Sequence, residues 1–286
     1  IANLAAATID AGAGVDIVSF TDTNSNGETL TFDDDTFNGM SNVETVKFAG
    51  ALAGDLLMTL GGWANTLATA ISGNQLKISA LALASAAATD IVTIDASGLT
   101  GSNSVELDIK DTDAANTAAN TITLTGSDNA DKITVEQVTA ASASIISVTG
   151  GKGNDTITVK TDATHDGRIY VDAGDGDDTI DVSGATSDNT AGNNTITGGK
   201  GNDTIKLDTD TTATDFEVVT ASTAANNGLD SITNFTVGSG GDVLEIDAFL
   251  DAGSIHKASS TAAYTTNLGT STDVSSDVVL LVDITG

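Results

Sequence analysis

The sequence has 286 residues, of which 40% are hydrophobic, so it can bury a core and is not disordered along its whole length. Forty acidic residues against ten basic ones give a formal net charge of −30, which opposes binding to nucleic acids and to anionic lipid surfaces. Cysteine is absent, which excludes disulfides and thiolate ligands, and no apolar run is continuous enough to predict membrane insertion.

The acidic residues are 34 aspartates and 6 glutamates, a bias typical of turns because aspartate bonds to its local backbone. A chain that is stable outside a cell without disulfides needs other cross-links, and we expect bound metal ions to supply them. The sequence begins with Ile1, and the basic and apolar segments of a cleavable export signal do not follow it. This predicts a processed chain or part of a longer one.

The first glycine-rich turn lies at residues 11–19, where Gly12 and Gly14 precede Asp16. It is a loose copy of a nine-residue pattern that recurs later in the chain. In this pattern glycine occupies positions two and four, aspartate occupies position six, and a large apolar residue occupies position eight.

Residues 29–32 and 43–48 follow as expected strands, since both are rich in β-branched and aromatic residues. Between them, Asp33, Asp34 and Asp35 form an acidic run. Nothing nearby indicates a cleft or a raised pKa, so we interpret the run as solvated or metal-binding rather than as a catalytic carboxylate pair.

The segment from Asp55 to Thr89 is rich in alanine and leucine and contains the only tryptophan, Trp63. Periodicity leaves both a helix and a set of buried strands open. Glycine pairs punctuate the segment and favour short strands with one helical insert. Three further expected strands follow at residues 91–95, 105–109 and 121–125.

The clear copies of the nine-residue pattern lie at residues 150–158, 173–181 and 198–206, and a looser copy lies at residues 126–134. Position six is aspartate and position eight is isoleucine in all four, at intervals of 24, 23 and 25 residues. The predicted metal-site residues are glycines and polar residues of all five copies. They are Gly12, Gly14, Asp16, Gly126, Asp128, Asn129, Asp131, Gly150, Gly151, Gly153, Asp155, Gly174, Asp175, Gly176, Asp178, Gly198, Gly199, Gly201 and Asp203.

Second strand-like segments lie between the copies, at residues 145–148, 168–171 and 194–197. One coil therefore reads turn, strand, loop, strand. The position-eight isoleucines, Ile133, Ile157, Ile180 and Ile205, are expected to face inwards as a ladder with a spacing of about 4.8 Å. The polar residues at positions seven and nine are expected to face outwards.

The turns suit calcium because glycines at positions two and four allow positive φ and close backbone approach, so that carbonyl oxygens point inwards. Calcium takes six to eight oxygens from carboxylates and carbonyls, and each turn offers carbonyls plus one aspartate. Two successive turns can complete the shell of one ion. A single such turn would be read as an ordinary Gly/Asp turn, and the repetition is what favours a metal site.

These residues resemble the G-G-x-G-x-D-x-U-x repeat of the RTX proteins, which type I systems secrete and which fold as calcium-loaded parallel β-rolls. The resemblance covers residues 126–206 most strongly, and residues 229–247 are similar to segments that follow such repeats. It implies export without a cleaved N-terminal signal and folding on external calcium. The composition also resembles RTX-containing surface-layer proteins. The coil of about 24 residues exceeds the family's two nonapeptides per turn, so the second-side loops are not expected to bind calcium by the same rule.

We therefore predict an all-β chain, a parallel β-roll or β-solenoid with calcium-binding turns and a C-terminal cap. Residues 1–120 are expected to form an irregular N-terminal solenoid part, residues 121–210 the RTX-type roll, and residues 211–286 the cap. The prediction for the cofactor is Ca²⁺, and the prediction for location is outside the cell or on the bacterial cell surface.

The sequence gives little support to an enzyme. Neither His165 nor His256 belongs to an H-E-x-x-H motif, and no G-x-S-x-G elbow or phosphate-binding loop occurs. His165 is expected in a solvated loop. The favoured function is a structural subunit of a surface layer or filament, with copies of itself as partners. The alternatives are a non-catalytic repeat region of a larger secreted enzyme or toxin, and an adhesin that binds cell-surface glycans.

Overall fold

The computed structural model describes residues 8–21, 29–49, 54–81, 90–111, 119–137, 144–161, 165, 167–185, 194–208, 216–219, 230–235 and 242–245. Within them the chain is all-β, with two nine-stranded parallel sheets that face each other across a core. The predicted parallel β-roll is confirmed. The expected cap at residues 211–286 lies largely outside the described residues.

The chain alternates between the two sheets, one strand in each per coil. Sheet I consists of β3 (Leu30–Phe32), β6 (Leu56–Thr59), β8 (Ile91–Asp95), β10 (Thr121–Thr125), β12 (Ile145–Lys152), β14 (Arg168–Asp175), β16 (Asn194–Lys200), β18 (Phe216–Val219) and β20 (Val243–Glu245). Sheet II consists of β2 (Ile17–Thr21), β5 (Thr45–Ala49), β7 (Gln75–Leu81), β9 (Ser104–Asp111), β11 (Lys132–Gln137), β13 (Thr156–Thr161), β15 (Thr179–Ala185), β17 (Thr204–Lys206) and β19 (Ser231–Thr233). A small parallel pair joins β1 (Ile9–Asp10) to β4 (Met40–Ser41).

The core lies between the sheets and is built from stacked aliphatic residues. The register places Ile133, Ile157, Ile180 and Ile205 directly over one another, and each is at most 2% exposed. Their neighbours at position seven, such as Thr156, are exposed. The predicted inward and outward assignment is therefore confirmed, because period-two alternation puts successive side chains on opposite faces.

One helix interrupts the alternation, between β6 and β7. Helix α1 (Gly62–Ala70) buries Ala64, Leu67 and Ala68 and leaves Trp63 44% exposed. The expected short strands with one helical insert are thus present over residues 56–81. None of the helices in the described part of the chain is long and apolar enough to cross a membrane.

Candidate metal site

The tight turns that lead from sheet I to sheet II bring successive coils into unusually close contact. Gly174 has a φ of +108°, and a Cβ there would lie 2.0 Å from the carbonyl oxygen of Gly151. Gly199 repeats this relation to the carbonyl of Gly174, at 1.9 Å. Positions 174 and 199 therefore require glycine for both conformation and space, and the carbonyl oxygens of position two stack along the roll.

The position-six aspartates form a continuous stack that we call the aspartate column: Asp131, Asp155, Asp178, Asp203 and Asp230. Oδ1 of each accepts a hydrogen bond from a backbone N–H of the preceding coil. Oδ1 of Asp155 accepts from Asp131 at 2.8 Å, and Oδ1 of Asp178 accepts from Asp155 at 2.7 Å. The series continues with Asp203 and Asp230, at 2.9 Å and 3.0 Å. These bonds fix each carboxylate at the same place in its coil.

The second carboxylate oxygen is the distinctive feature of the column. Asp155, Asp178 and Asp203 are each only 1% exposed, and their Oδ2 atoms are buried with no hydrogen-bond donor among the described residues. Buried carboxylate oxygens are normally satisfied by donors or by a cation. The Oδ2 atoms on these three successive coils therefore all need a hydrogen-bond donor or a cation that the described residues do not provide.

Burial shifts the titration of these groups. It raises the pKa of Asp155 to about 8 and that of Asp203 to about 7, because desolvation disfavours the charged form. The pKa of Asp178 rises to about 6 for the same first reason, and neighbouring aspartates add to the effect. Without a nearby positive charge, these carboxyl groups ionise only at a higher pH than an exposed aspartate.

Position one provides more oxygen ligands near the column. A Cβ on Gly150 would lie 2.4 Å from the carbonyl oxygen of Ala173 and 2.4 Å from Oδ2 of Asp155. A Cβ on Gly198 would likewise lie 2.4 Å from Oδ2 of Asp203. A carbonyl oxygen of the next coil and the unsatisfied carboxylate oxygen therefore approach the same glycine. Both are oxygens of the types that calcium takes, and further carbonyl oxygens would have to complete its shell of six to eight.

The structure distinguishes Asp131 from the other members of the column. Both of its carboxylate oxygens have protein donors: the N–H of Val105 at 2.7 Å and the N–H of Ser127 at 2.5 Å. The backbone of this looser copy thus supplies Oδ2 with the donor that the other three aspartates lack, and the Ser127 hydroxyl donates to Oδ1 at 3.0 Å. Asp131 ends the series of unsatisfied oxygens, while burial still raises its pKa to about 6.

The position-three aspartates lie away from the column. Asp128 pairs with Lys152 and Asp175 pairs with Lys200, and all four side chains are exposed to solvent. Asn129 donates from Nδ2 to the carbonyl oxygen of Asn103 at 2.9 Å. Metal binding by the side chains of Asp128, Asn129 and Asp175 stays a prediction, which their hydrogen bonds and ion pairs do not favour.

The predicted site at residues 11–19 occupies the same column position several coils away. The N–H of Asp16 donates to Oε2 of Glu44 at 2.7 Å, so Glu44 takes the place of an aspartate in the next coil. The register then places Leu76 and Val105, both fully buried, at this position in the following coils. Two apolar coils therefore separate Asp16 and Glu44 from the aspartate column.

Sequence reasoning missed two members of this arrangement, Glu44 and Asp230. The signal for Asp230 was present, since Gly228 lies at position four and Ile232 at position eight of its coil. Glu44 carried a weaker signal: Asn42 at position four adopts the left-handed conformation with a φ of 54°.

Two expectations about polar residues were wrong. His165 is fully buried rather than solvated, with its Cε1 atom close to Gly167. Asp34, expected to be solvated or metal-binding, is bound by backbone N–H groups instead. Its Oδ1 accepts from the N–H of Gly61 at 2.8 Å and its Oδ2 accepts from the N–H of Trp63 at 2.9 Å, so it caps helix α1.

Within the described residues, no three side chains of the types His, Cys, Asp and Glu group together as a metal centre. Carboxylates alone therefore do not make a site here, and backbone carbonyls would have to complete it. Comparison with known proteins found no matching family model, no matching curated protein and no matching solved structure.

Proposed function

We propose that this protein is a calcium-stabilised structural subunit of an extracellular assembly. The observation that carries the proposal is the row of buried Oδ2 atoms of Asp155, Asp178 and Asp203, which lack donors among the described residues. A cation is the natural partner for carboxylates that are buried, regularly spaced and hard to ionise alone.

Calcium would be held by Oδ2 of these aspartates together with carbonyl oxygens of the glycine-rich turns. When bound, it supplies positive charge that keeps the carboxylates ionised. The protein's part is to position the ligands. In Asp155 and Asp203, Oδ1 is fixed by a backbone N–H of the preceding coil, and Oδ2 lies near the position-one glycine of its own turn. Each ion would thus link adjacent coils.

The proposed structural role follows from the effect of calcium links between adjacent coils. The roll consists of repeated coils in which each strand contacts mainly its neighbours in the same sheet, so local cross-links add stiffness along the whole stack. Extracellular calcium modules typically bind at about 10⁻⁴ to 10⁻³ M, which fits a chain that stays loose inside a cell and becomes rigid outside. The extracellular location is proposed from the resemblance of the repeats to those of the secreted RTX proteins.

Equilibrium dialysis against calcium tests the proposal directly. The wild-type chain should bind several ions, and a variant with Asp155→Asn, Asp178→Asn and Asp203→Asn should bind at least about tenfold more weakly, because the number of charged ligands sets affinity. Asparagine keeps Oδ1 as an acceptor, so the hydrogen-bonded column is preserved.

The matched control carries Asp108→Asn, Glu136→Gln and Asp181→Asn. It removes the same formal charge from the outer face of sheet II, where these groups pair with lysines at the surface. It should bind calcium as the wild type does. Equal loss in both variants would mean that calcium responds to bulk charge, and the proposed site would be wrong.

A further inference from the structure

The two outer faces of the roll differ in chemistry. The outer face of sheet II carries lysine–carboxylate pairs, such as Lys77 with Glu106, Lys110 with Glu136 and Lys206 with Asp181. The outward side chains of strands β3 to β16 in sheet I, which we call the hydroxyl face, are mostly threonines. The charged residues at the alternate outward positions of these strands are Asp95, Arg168 and Asp172. Lys152, Asp175 and Lys200 are exposed where the strands enter the turns.

The hydroxyl face also carries most of the exposed large hydrophobic side chains. Leu57, Ile91, Ile145 and Tyr170 are 36–40% exposed, and all four point outwards from sheet I. The other exposed members among the described residues are Val15, Ile17 and Trp63, which lie elsewhere. The strand order groups Leu57 with Ile91 and Ile145 with Tyr170, on two pairs of adjacent strands that β10 separates. Exposed apolar side chains that share one face favour an interaction surface.

The net charge of −30 restricts which face can meet another copy of the chain. Like-charged molecules repel, so contact between copies is favoured where local charge is low. The hydroxyl face meets this condition, since its two acidic residues and one arginine leave it close to neutral. The face is therefore suited to a second copy in a way that the acidic turns are not.

The charges on β14 are self-complementary under two-fold symmetry. Arg168, Tyr170 and Asp172 point outwards at alternate positions, with Tyr170 midway between the two charges. Consider a two-fold axis that lies between two packed faces, runs perpendicular to the strands and passes Tyr170. This axis places β14 of one copy antiparallel to β14 of the other. Arg168 of one copy then faces Asp172 of the other, and the reciprocal pair forms at the same time.

The shape beside Tyr170 agrees with this arrangement. A depression of about 170 Å³ lies next to its ring, lined by Ser147, Thr149, Asp172, Thr195 and Thr197 among others. The two-fold axis places the two Tyr170 side chains opposite each other, and the depression beside each one offers space for the ring of the other copy. Tyrosine is also a residue that often dominates interface energy.

The available area is sufficient for a dimer. Seven strands spaced about 4.8 Å apart, with about five residues of roughly 3.3 Å each, give a face of about 29 by 16 Å. Two such faces bury on the order of 1,000 Å², which is about the minimum for a specific interface. Strands β18 and β20 continue the same sheet beyond this area.

We propose that the hydroxyl face of sheet I is a self-association interface, in which two copies pack face to face and pair Arg168 of each with Asp172 of the other. This inference rests on the proposed structural function, since it names the partner and the surface used in assembly.

Sedimentation velocity of the calcium-loaded chain over a range of concentrations tests this interface. The wild type should form dimers. Arg168→Asp places like charges opposite each other and should weaken dimerisation by more than about tenfold. The double variant Arg168→Asp with Asp172→Arg restores opposite charges across the two-fold axis and should recover the dimer. Thr158→Asp, on the outer face of sheet II, should leave the dimer unchanged.

Circular dichroism in calcium should show the same β content for all variants. A folded chain that stays monomeric overturns this inference alone, as does dimerisation that is insensitive to Arg168→Asp or not recovered in the double variant. A chain whose folding ignores calcium would instead contradict the proposed function. Capture of a saccharide by a monomeric chain would assign the hydroxyl face to a different ligand.

Discussion

The carboxylates of the aspartate column are poor anions in the metal-free chain. Asp155 and Asp203 accept one backbone hydrogen bond each through Oδ1, and desolvation outweighs that stabilisation, so the pKa of each is raised. The same residues are the strongest candidates for binding a cation. A proton and a cation therefore compete for the same oxygens.

This competition predicts a pH dependence in the metal-free chain. The ordinary pKa of aspartate is 3.8, and the folded values are about 8 for Asp155, 7 for Asp203 and 6 for Asp178. Protonation thus stabilises the fold fully below about pH 4, and this stabilisation is lost as pH rises through 6 to 8. Metal-free protein should gain β structure, followed by circular dichroism, on acidification from pH 8 to pH 5.

The control for this prediction is the triple variant Asp155→Asn, Asp178→Asn and Asp203→Asn, whose column no longer titrates. Its β content should vary much less over the same pH range in chelator. If the β content of the wild type fell on acidification, or if both proteins changed alike, the raised pKa values of the column would not control stability.

The residues of the column show what a pattern in sequence can and cannot reveal. Asp155, Asp178 and Asp203 were predictable because their glycines and isoleucines recur at a nearly constant interval. Asp230 was missed although Gly228 and Ile232 keep part of the pattern, because its coil spans 27 residues. Glu44, which holds the equivalent place in an N-terminal coil, was missed because that coil spans 28 residues and lacks the full glycine pattern. Membership of the column depends on strand register, which a variable loop length conceals.

Helix α1 is the element that departs most from the roll. It begins at Gly62, and its N-terminal N–H groups need acceptors that an ordinary coil does not provide. The carboxylate of Asp34, from the short 3-10 helix Asp34–Phe37, supplies them. An acidic side chain from another coil thus caps the helix and also interacts favourably with its dipole.

Removal of this cap should destabilise the N-terminal coils. Asp34→Ala leaves the N–H groups of Gly61, Trp63 and Ala64 without their acceptor, and we expect a loss of about 1 to 2 kcal/mol. Urea unfolding followed by the fluorescence of Trp63, the only tryptophan, measures it. Asp35→Ala removes an exposed neighbouring carboxylate and should change stability by less than about 0.5 kcal/mol.

Strands were the most predictable elements. Residues 91–95 and 121–125 form strands with the predicted bounds, and the strand predicted at 168–171 extends to residue 175. The extension arises because Gly174 and Asp175 continue the parallel ladder into the turn. Sequence composition could not show this, since glycine and aspartate are normally depleted in strands.

At the scale of the molecule, the described residues form one continuous pair of sheets, from β2 and β3 to β19 and β20. Its stability is concentrated in the stacked core and in contacts between neighbouring coils, while its charge of −30 acts against compaction. In the proposed function, calcium offsets this repulsion at the aspartate column. The same loading would precede association through the hydroxyl face.

The most direct test of this account is far-ultraviolet circular dichroism of the purified chain during titration from excess chelator to millimolar calcium at pH 7.5. The chain should be largely unfolded in chelator and should fold cooperatively as calcium is added. The variant with Asp155→Asn, Asp178→Asn and Asp203→Asn should require more calcium than the variant with Asp108→Asn, Glu136→Gln and Asp181→Asn. Full β structure in chelator, or equal calcium midpoints for the two variants, would contradict a calcium-stabilised column.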